Sequence, residues 1–241
     1  VLRRRAARSS PPPSSGADGG DRFADLVAAL EEKADPSRAD AMAAYMRHMF
    51  EFLGLPAPVR RAQAGEFQRG FAGADEDTLL GAAERLFSDE FPAREYDYVA
   101  TDLLRAHWRQ LTPASLSRLR ALVQTTSWWD SVDPLAHVVG VLVLNHRELR
   151  ADMDEWLVDE DRWVARVALL HQLGWKAEAD PDWQFAASLT RGGDEDFFLR
   201  KAIGWALRDL AKSYPDQVRD FVEAHRGEIS ELSAEEATKH L

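Results

Sequence analysis

The sequence predicts an all-α protein, an α-solenoid built by stacking antiparallel helix pairs. Three observations predict it. From Asp21 onward apolar residues recur at helical spacing, and no segment alternates as a half-buried strand does. Helix starts recur near Asp75, Pro113, Glu148, Pro181 and Pro215, a spacing of roughly 35 residues. Each interval holds two helices and a short turn, a unit that buries its apolar face only against its neighbours.

Taken in order, residues 1–20 are rich in Arg, Pro, Ser and Gly with almost nothing to bury, and are expected to form a disordered tail ahead of a single domain at 21–241. Asp21 to Lys33 is amphipathic through Phe23, Leu26, Val27 and Leu30. Ser37 is expected to open a second helix through Tyr45, Met49 and Phe52, stopped by Gly54-Leu55-Pro56. Pro58 starts a shorter helix carrying Arg60 and Arg61.

Four later segments carry polar groups that a core does not need. In Arg94 to Arg109 the side chains of Tyr98, Asp102, Arg105 and Arg109 share one side, which reads as an exposed helix laced with ion pairs. In Thr125 to Val143, Ser127 with Asp130 resembles a capping box. Trp129 and Asp133 share a face if helix runs through both; alternatively Asp133 is an N-cap with Pro134 at the first helical position. Either way a carboxylate lies beside an indole near a helix start.

In Asp161 to Leu173 a buried stripe of Trp163, Val167 and Leu170 leaves Arg166 at its edge. A guanidinium there needs a partner or a cleft, since an unpaired buried charge costs several kcal/mol (about 3–5), and its fork suits a carboxylate or a phosphate equally. In Asp194 to Lys212, Leu199, Ile203, Leu207 and Leu210 make the apolar stripe, with Lys201, Trp205, Arg208 and Lys212 roughly opposite. Trp205 either packs against a neighbouring helix or joins those cations in a surface suited to a polyanion.

The totals remove several classes of chemistry. A chain of 241 residues without cysteine uses no disulfide, thiolate nucleophile or iron–sulfur cluster. The seven histidines show no metal-ligand spacing, so no metal site is expected. No apolar run approaches the roughly 20 residues that cross a bilayer, and Arg3-Arg4-Arg5 leads into Ser and Pro rather than an apolar segment, so a soluble, cytoplasmic protein is expected, with no membrane partner. The net charge of −11 counts against nucleic acid unless the cations gather on one face.

Together the segments resemble the bacterial DNA alkylation repair family, the AlkD-like DNA glycosylases built from HEAT-like helical repeats. The resemblance runs from about Ala41 to Leu241. It rests on Tyr45-Met-Arg with Phe52-Leu-Gly and Arg60-Arg61, on Ser127-Trp-Trp-Asp-Ser-Val-Asp133, on Trp163-Val-Ala-Arg166, and on Phe197-Phe-Leu-Arg-Lys-Ala-Ile-Gly-Trp-Ala-Leu-Arg208. Pro134, after the aspartate, departs from the family pattern and puts the aim of Asp133 in question.

The resemblance implies removal of N3- and N7-alkylated purines from double-stranded DNA by a nucleoid-associated protein, and a solenoid that wraps a duplex is expected to act as a monomer. It implies a concave DNA-binding face, no deep pocket for a flipped base and no cofactor. Trp129, Asp133, Arg166 and Trp205 match its catalytic positions, with Tyr45 at a DNA-binding one. Lys201, Arg208, Lys212, Arg105, Arg109 and Arg147 are candidate phosphate contacts, and Arg166 is expected to clamp a phosphate and to orient Asp133. Two other readings stand beside this one: a non-catalytic HEAT-like protein that binds unusual DNA structures, and a protein–protein scaffold, to which the net acidity is suited.

Overall fold

A computed structural model of the chain describes residues 21–241, so the tail expected at 1–20 lies outside the described residues. The described residues form fourteen α-helices joined by short loops and 3-10 turns. Among them no helix is long and apolar enough to cross a membrane.

Helix α1, Arg22–Glu31, buries Leu26 and Leu30 and is capped by Asp21, whose carboxylate accepts from the Phe23 N–H. The cap of α2, Pro36–Tyr45, is Asp35 rather than Ser37: its carboxylate accepts from the N–H groups of Ser37 and Arg38, and Pro36 fills the first helical position. Helix α2 also stops at Tyr45, short of the expected Phe52, because Arg47 and His48 both turn left-handed at φ 57°. Residues Glu51 to Leu55 then run along the start of a later helix, where the Arg94 N–H donates to the Glu51 carbonyl at 2.8 Å. Gly54 is required in that run. It has φ +88°, and a Cβ there would lie 2.1 Å from the Asp35 carbonyl oxygen. Two short helices follow, α3 Ala57–Gln63 and α4 Gly65–Arg69.

Five helix pairs make up the rest. They are α5 Glu76–Leu86 with α6 Arg94–Ala106, α7 Leu116–Val123 with α8 Trp129–Asn145, α9 Arg150–Leu157 with α10 Arg162–Leu170, α11 Pro181–Thr190 with α12 Phe197–Ala211, and α13 Pro215–Ala224 with α14 Glu231–Thr238. The second members α6, α8, α10, α12 and α14 pack on one another in that order. They form a continuous layer, and the protein is the HEAT-like α-solenoid expected. Between α8 and α10 the approach is close: a Cβ on Gly140 would lie 1.9 Å from the His171 carbonyl oxygen.

The roughly 35-residue period reappears in the electrostatics. Arg118–Glu84, Arg162–Asp196 and Arg166–Asp133 pair residues 34, 34 and 33 positions apart, each joining one helix pair to the next. Helix α6 shows how far this changes the reading of a charged segment. Arg94, Glu95 and Asp97 are buried, not exposed. Glu95 accepts hydrogen bonds from the N–H groups of Leu53, Gly54 and Leu55 at 2.9–3.0 Å, which ties the extended run to α6. Charges at the start of an apparently surface helix are buried here because each finds a partner elsewhere in the chain.

Candidate active site

Helices α3, α6, α8 and α12 enclose a cleft of about 370 Å³. Its walls carry Trp129, Asp130, Asp133 and Pro134 from α8, Trp205 from α12, Tyr98, Thr101, Asp102 and Arg105 from α6, and Arg60 and Arg61 from α3. Met46, just past α2, completes the rim. Of the sequence-predicted residues, Trp129, Asp133, Trp205 and Arg105 therefore meet in one opening.

The start of α8 sets the aim of these groups. Trp128 is the N-cap residue, in extended conformation, and its ring packs into an aromatic cluster with Trp163 of α10 and Phe198 of α12 at centroid distances of 5.8 and 5.1 Å. With Trp128 anchored in that cluster, the next residue, Trp129, presents its ring to the cleft. No capping box forms: Ser127 Oγ donates to the Val123 carbonyl, and the Asp130 carboxylate is taken up elsewhere. Helix runs through Pro134, so Asp133 is not an N-cap and shares a helix face with Trp129. Pro134 withholds the N–H that would bond the Asp130 carbonyl one turn earlier.

Arg166 of α10 holds Asp133 in place regardless. Its Nε donates to Asp133 Oδ1 at 2.8 Å and its Nη2 to Oδ2 at 2.9 Å, a bidentate pair. Nη1 donates to the Phe198 carbonyl at 2.5 Å. Arg166, its side chain 6% exposed, has all three nitrogens engaged by Asp133 and the Phe198 carbonyl, and it does not line the cleft, where the expected phosphate clamp would have to act. The Asp133 side chain keeps 13% exposure, toward the cleft. Burial pushes its carboxyl above the usual aspartate value, opposed by the hydrogen bonds and charge of Arg166.

A second carboxylate lies in the same wall. Asp130 receives Arg94 Nη2 at 2.6 Å and Nε at 3.1 Å, and also the Tyr98 hydroxyl. Arg94 reaches further, to Asp97, the Thr126 carbonyl and Ser131 Oγ, at 2.6–2.8 Å. This buried network pins the first turn of α8 to the first turn of α6. Burial and the Asp130 charge keep Tyr98 protonated by raising its pKa, so it remains a donor. Sequence reasoning missed Asp130 and Arg94 as site-forming residues. Tyr98, Asp102 and Arg105 were visible as one side of α6, but nothing in their spacing said what that side faces.

The remaining cations do not gather as expected. Lys201 and Arg208 both pair with Glu236 of α14. Lys212 pairs with Asp209 at 2.6 Å, and Arg147 with Glu178 at 3.5 Å. Arg109 lies over the Trp108 ring at 4.6 Å, beyond the end of α6. An excess of acids supplies each of Lys201, Arg208, Lys212 and Arg147 with a neighbour, leaving Arg105 as the member of that group that lines the cleft. Tyr45 is exposed at the end of α2 and stands edge-on to Trp129 at 6.3 Å. Among the described residues no cluster of three or more His, Asp or Glu could hold a metal ion.

A family model described as "DNA alkylation repair enzyme" matches residues 26–241. The chain belongs to the DNA alkylation repair enzyme family. Consistent with that membership, a predicted DNA alkylation repair enzyme from Enterococcus faecalis is 31% identical with a TM-score of 0.80, over 86% of this chain and 96% of that one. AlkD2 from Streptococcus mutans shares the fold at 18% identity and a TM-score of 0.60, over 92% of this chain and 99% of that one. The smu.31 protein of Streptococcus mutans UA159 does so at 19% identity and 0.55, over 77% and 96%. No protein of curated function matches the chain. Family membership assigns the protein a role in DNA alkylation repair.

Proposed function

We propose that the protein is a monofunctional DNA glycosylase that hydrolyses the N-glycosidic bond of N3- and N7-alkylated purines in duplex DNA. One observation carries this reading: a carboxylate, Asp133, shares one solvent-accessible cleft with the indoles of Trp129 and Trp205 and is fixed by Arg166. An N7-alkylated guanine bears a positive charge, so its C1′–N9 bond breaks with the bonding pair going to the base, which leaves neutral without a general acid. The sugar is left as an oxocarbenium ion. Asp133 stabilises that cation, water adds at C1′, and the water's proton passes to the carboxylate. Trp129 and Trp205 offer rings to the sugar and backbone of the damaged nucleotide, contacts that are indifferent to base sequence. Among the described residues no lysine lines the cleft to form a Schiff base, so base release stops at the abasic site.

The test is release of free base from duplex DNA containing N7-methylguanine by the purified protein. Release, with no protein–DNA adduct trapped by borohydride, supports the monofunctional reading. Salt-sensitive duplex binding without release points instead to a non-catalytic DNA-binding protein. The engagement of Lys201, Arg208, Lys212 and Arg147 by acids favours a third reading, a protein scaffold, and absence of both binding and release would select it.

A further inference from the structure

A second depression of about 450 Å³ adjoins the Asp133 cleft and shares Arg61, Asp102 and Arg105 with it. His137 of α8 and Trp108, just past α6, line its far side. We propose that this depression is a phosphate subsite in which Arg61, Arg105 and His137 hold the phosphodiester next to the damaged nucleotide, a subsite that rests on the glycosylase reading of the neighbouring cleft.

Two observations carry it. The first is charge. Arg60 and Arg61 share a single carboxylate, Asp102, at 3.0 and 3.2 Å, and Arg105 has no acidic partner among the described residues. Arg61 and Arg105 line both openings with Asp102 as the one carboxylate between them, so the shared wall carries positive charge in excess, in a protein whose total is −11. The second is register. His137 follows Asp133 by one helical turn on α8, a rise of about 6 Å, so the two openings lie side by side along one helix face. A sugar held at Asp133 brings an adjoining phosphodiester within reach of His137.

The imidazole adds to the same picture. Partial burial first, and the Arg105 charge second, push the His137 pKa down, so the imidazole is neutral and offers an N–H donor beside the Arg105 guanidinium. Trp108 offers an apolar wall to the adjoining sugar, while Asp102 remains engaged by Arg60 and Arg61 and does not oppose the anion with a free charge.

The experiment is a scan with duplexes that carry an abasic analogue and a single uncharged methylphosphonate, moved one position at a time across the lesion. Binding is measured for the wild type, Arg105→Gln and His137→Gln. Both substituted side chains are exposed, so the variants are expected to fold, which thermal unfolding checks. With the wild type, one methylphosphonate beside the lesion should weaken binding about tenfold, the loss of one charge-assisted contact. Arg105→Gln should weaken binding to the unmodified duplex by a similar factor and lower the salt slope by about 1. At that one position the methylphosphonate should then have little further effect. Variants that weaken binding equally at every position, with no position where the two losses merge, overturn the subsite. If the wild type releases base or binds duplex while that coupling is missing, the subsite falls and the glycosylase reading stands. A wild type that neither binds nor cleaves overturns both.

Discussion

Replacing Asp133 by Asn tests the charge on which the proposed reaction depends, and the ion pair behind it makes the expected magnitude specific. A carboxylate about 4 Å from the developing cation attracts it by about 4 kcal/mol at an effective dielectric near 20. The Arg166 guanidinium lies on the far side of that carboxylate, bonded to both of its oxygens. At about 8 Å from the same cation it repels by about 2 kcal/mol, leaving a net stabilisation of about 2 kcal/mol. Asp133→Asn deletes the attraction and keeps the repulsion, so the barrier rises by about 4 kcal/mol, roughly a thousandfold in rate. The double variant Asp133→Asn/Arg166→Met removes both charges. Its barrier rises by only about 2 kcal/mol, roughly thirtyfold. The second substitution should therefore partly rescue the first. Stability should follow the same order, because Asn leaves a buried guanidinium without its counter-charge, at a cost of about 3–5 kcal/mol. The assay is single-turnover release of N7-methylguanine from duplex DNA, with urea unfolding of each variant alongside. A double variant as slow as Asp133→Asn, or an Asp133→Asn that releases base at the wild-type rate, refutes the reasoning.

Other substitutions separate aim, framing and packing. Base release requires Asp133 ionised, and burial has raised its pKa, so the rate should fall with decreasing pH while still above the usual aspartate range; Arg166→Met should move that acid limb to higher pH, read from the pH–rate profile. Trp128→Ala should destabilise by about 3–5 kcal/mol through loss of the cluster with Trp163 and Phe198, whereas Trp129→Ala should cost less stability and more excision; equal losses in unfolding and in activity would return Trp129 to the core. Gly140→Ala should destabilise by about 1–3 kcal/mol or more, because its methyl group would lie against the His171 carbonyl and force α8 away from α10, which thermal unfolding measures. Burial pushes Asp97 up to about 6, so the stability it contributes is present below about pH 4 and lost as pH rises through 6, about 3 kcal/mol in all. Asp97→Asn should remove that loss, so the variant should gain on the wild type between pH 4.5 and 7, and an unchanged difference across that range would count against it.

The sequence by itself determined the helical class, the starts of the five pairs and the apolar stripes of α10 and α12. These depend on side chains three and four residues apart, and every helix carries that information within its own length. It also pointed to Trp129, Asp133, Arg166 and Trp205 as residues that a simple core leaves unexplained. The tertiary structure alone decided which charges remain available. Arg166 meets Asp133 33 residues away, and Lys201 meets Glu236 35 residues away. Any of 41 acids could have been chosen for each, and only the stacking of one helix pair on the next selects them. The same cause explains α6. Its Arg94, Glu95 and Asp97 look like surface residues until the extended run at 51–55 and the start of α8 close over them and supply hydrogen bonds. Periodicity is local and can be read along the chain, whereas desolvation and pairing belong to neighbours brought together one repeat apart.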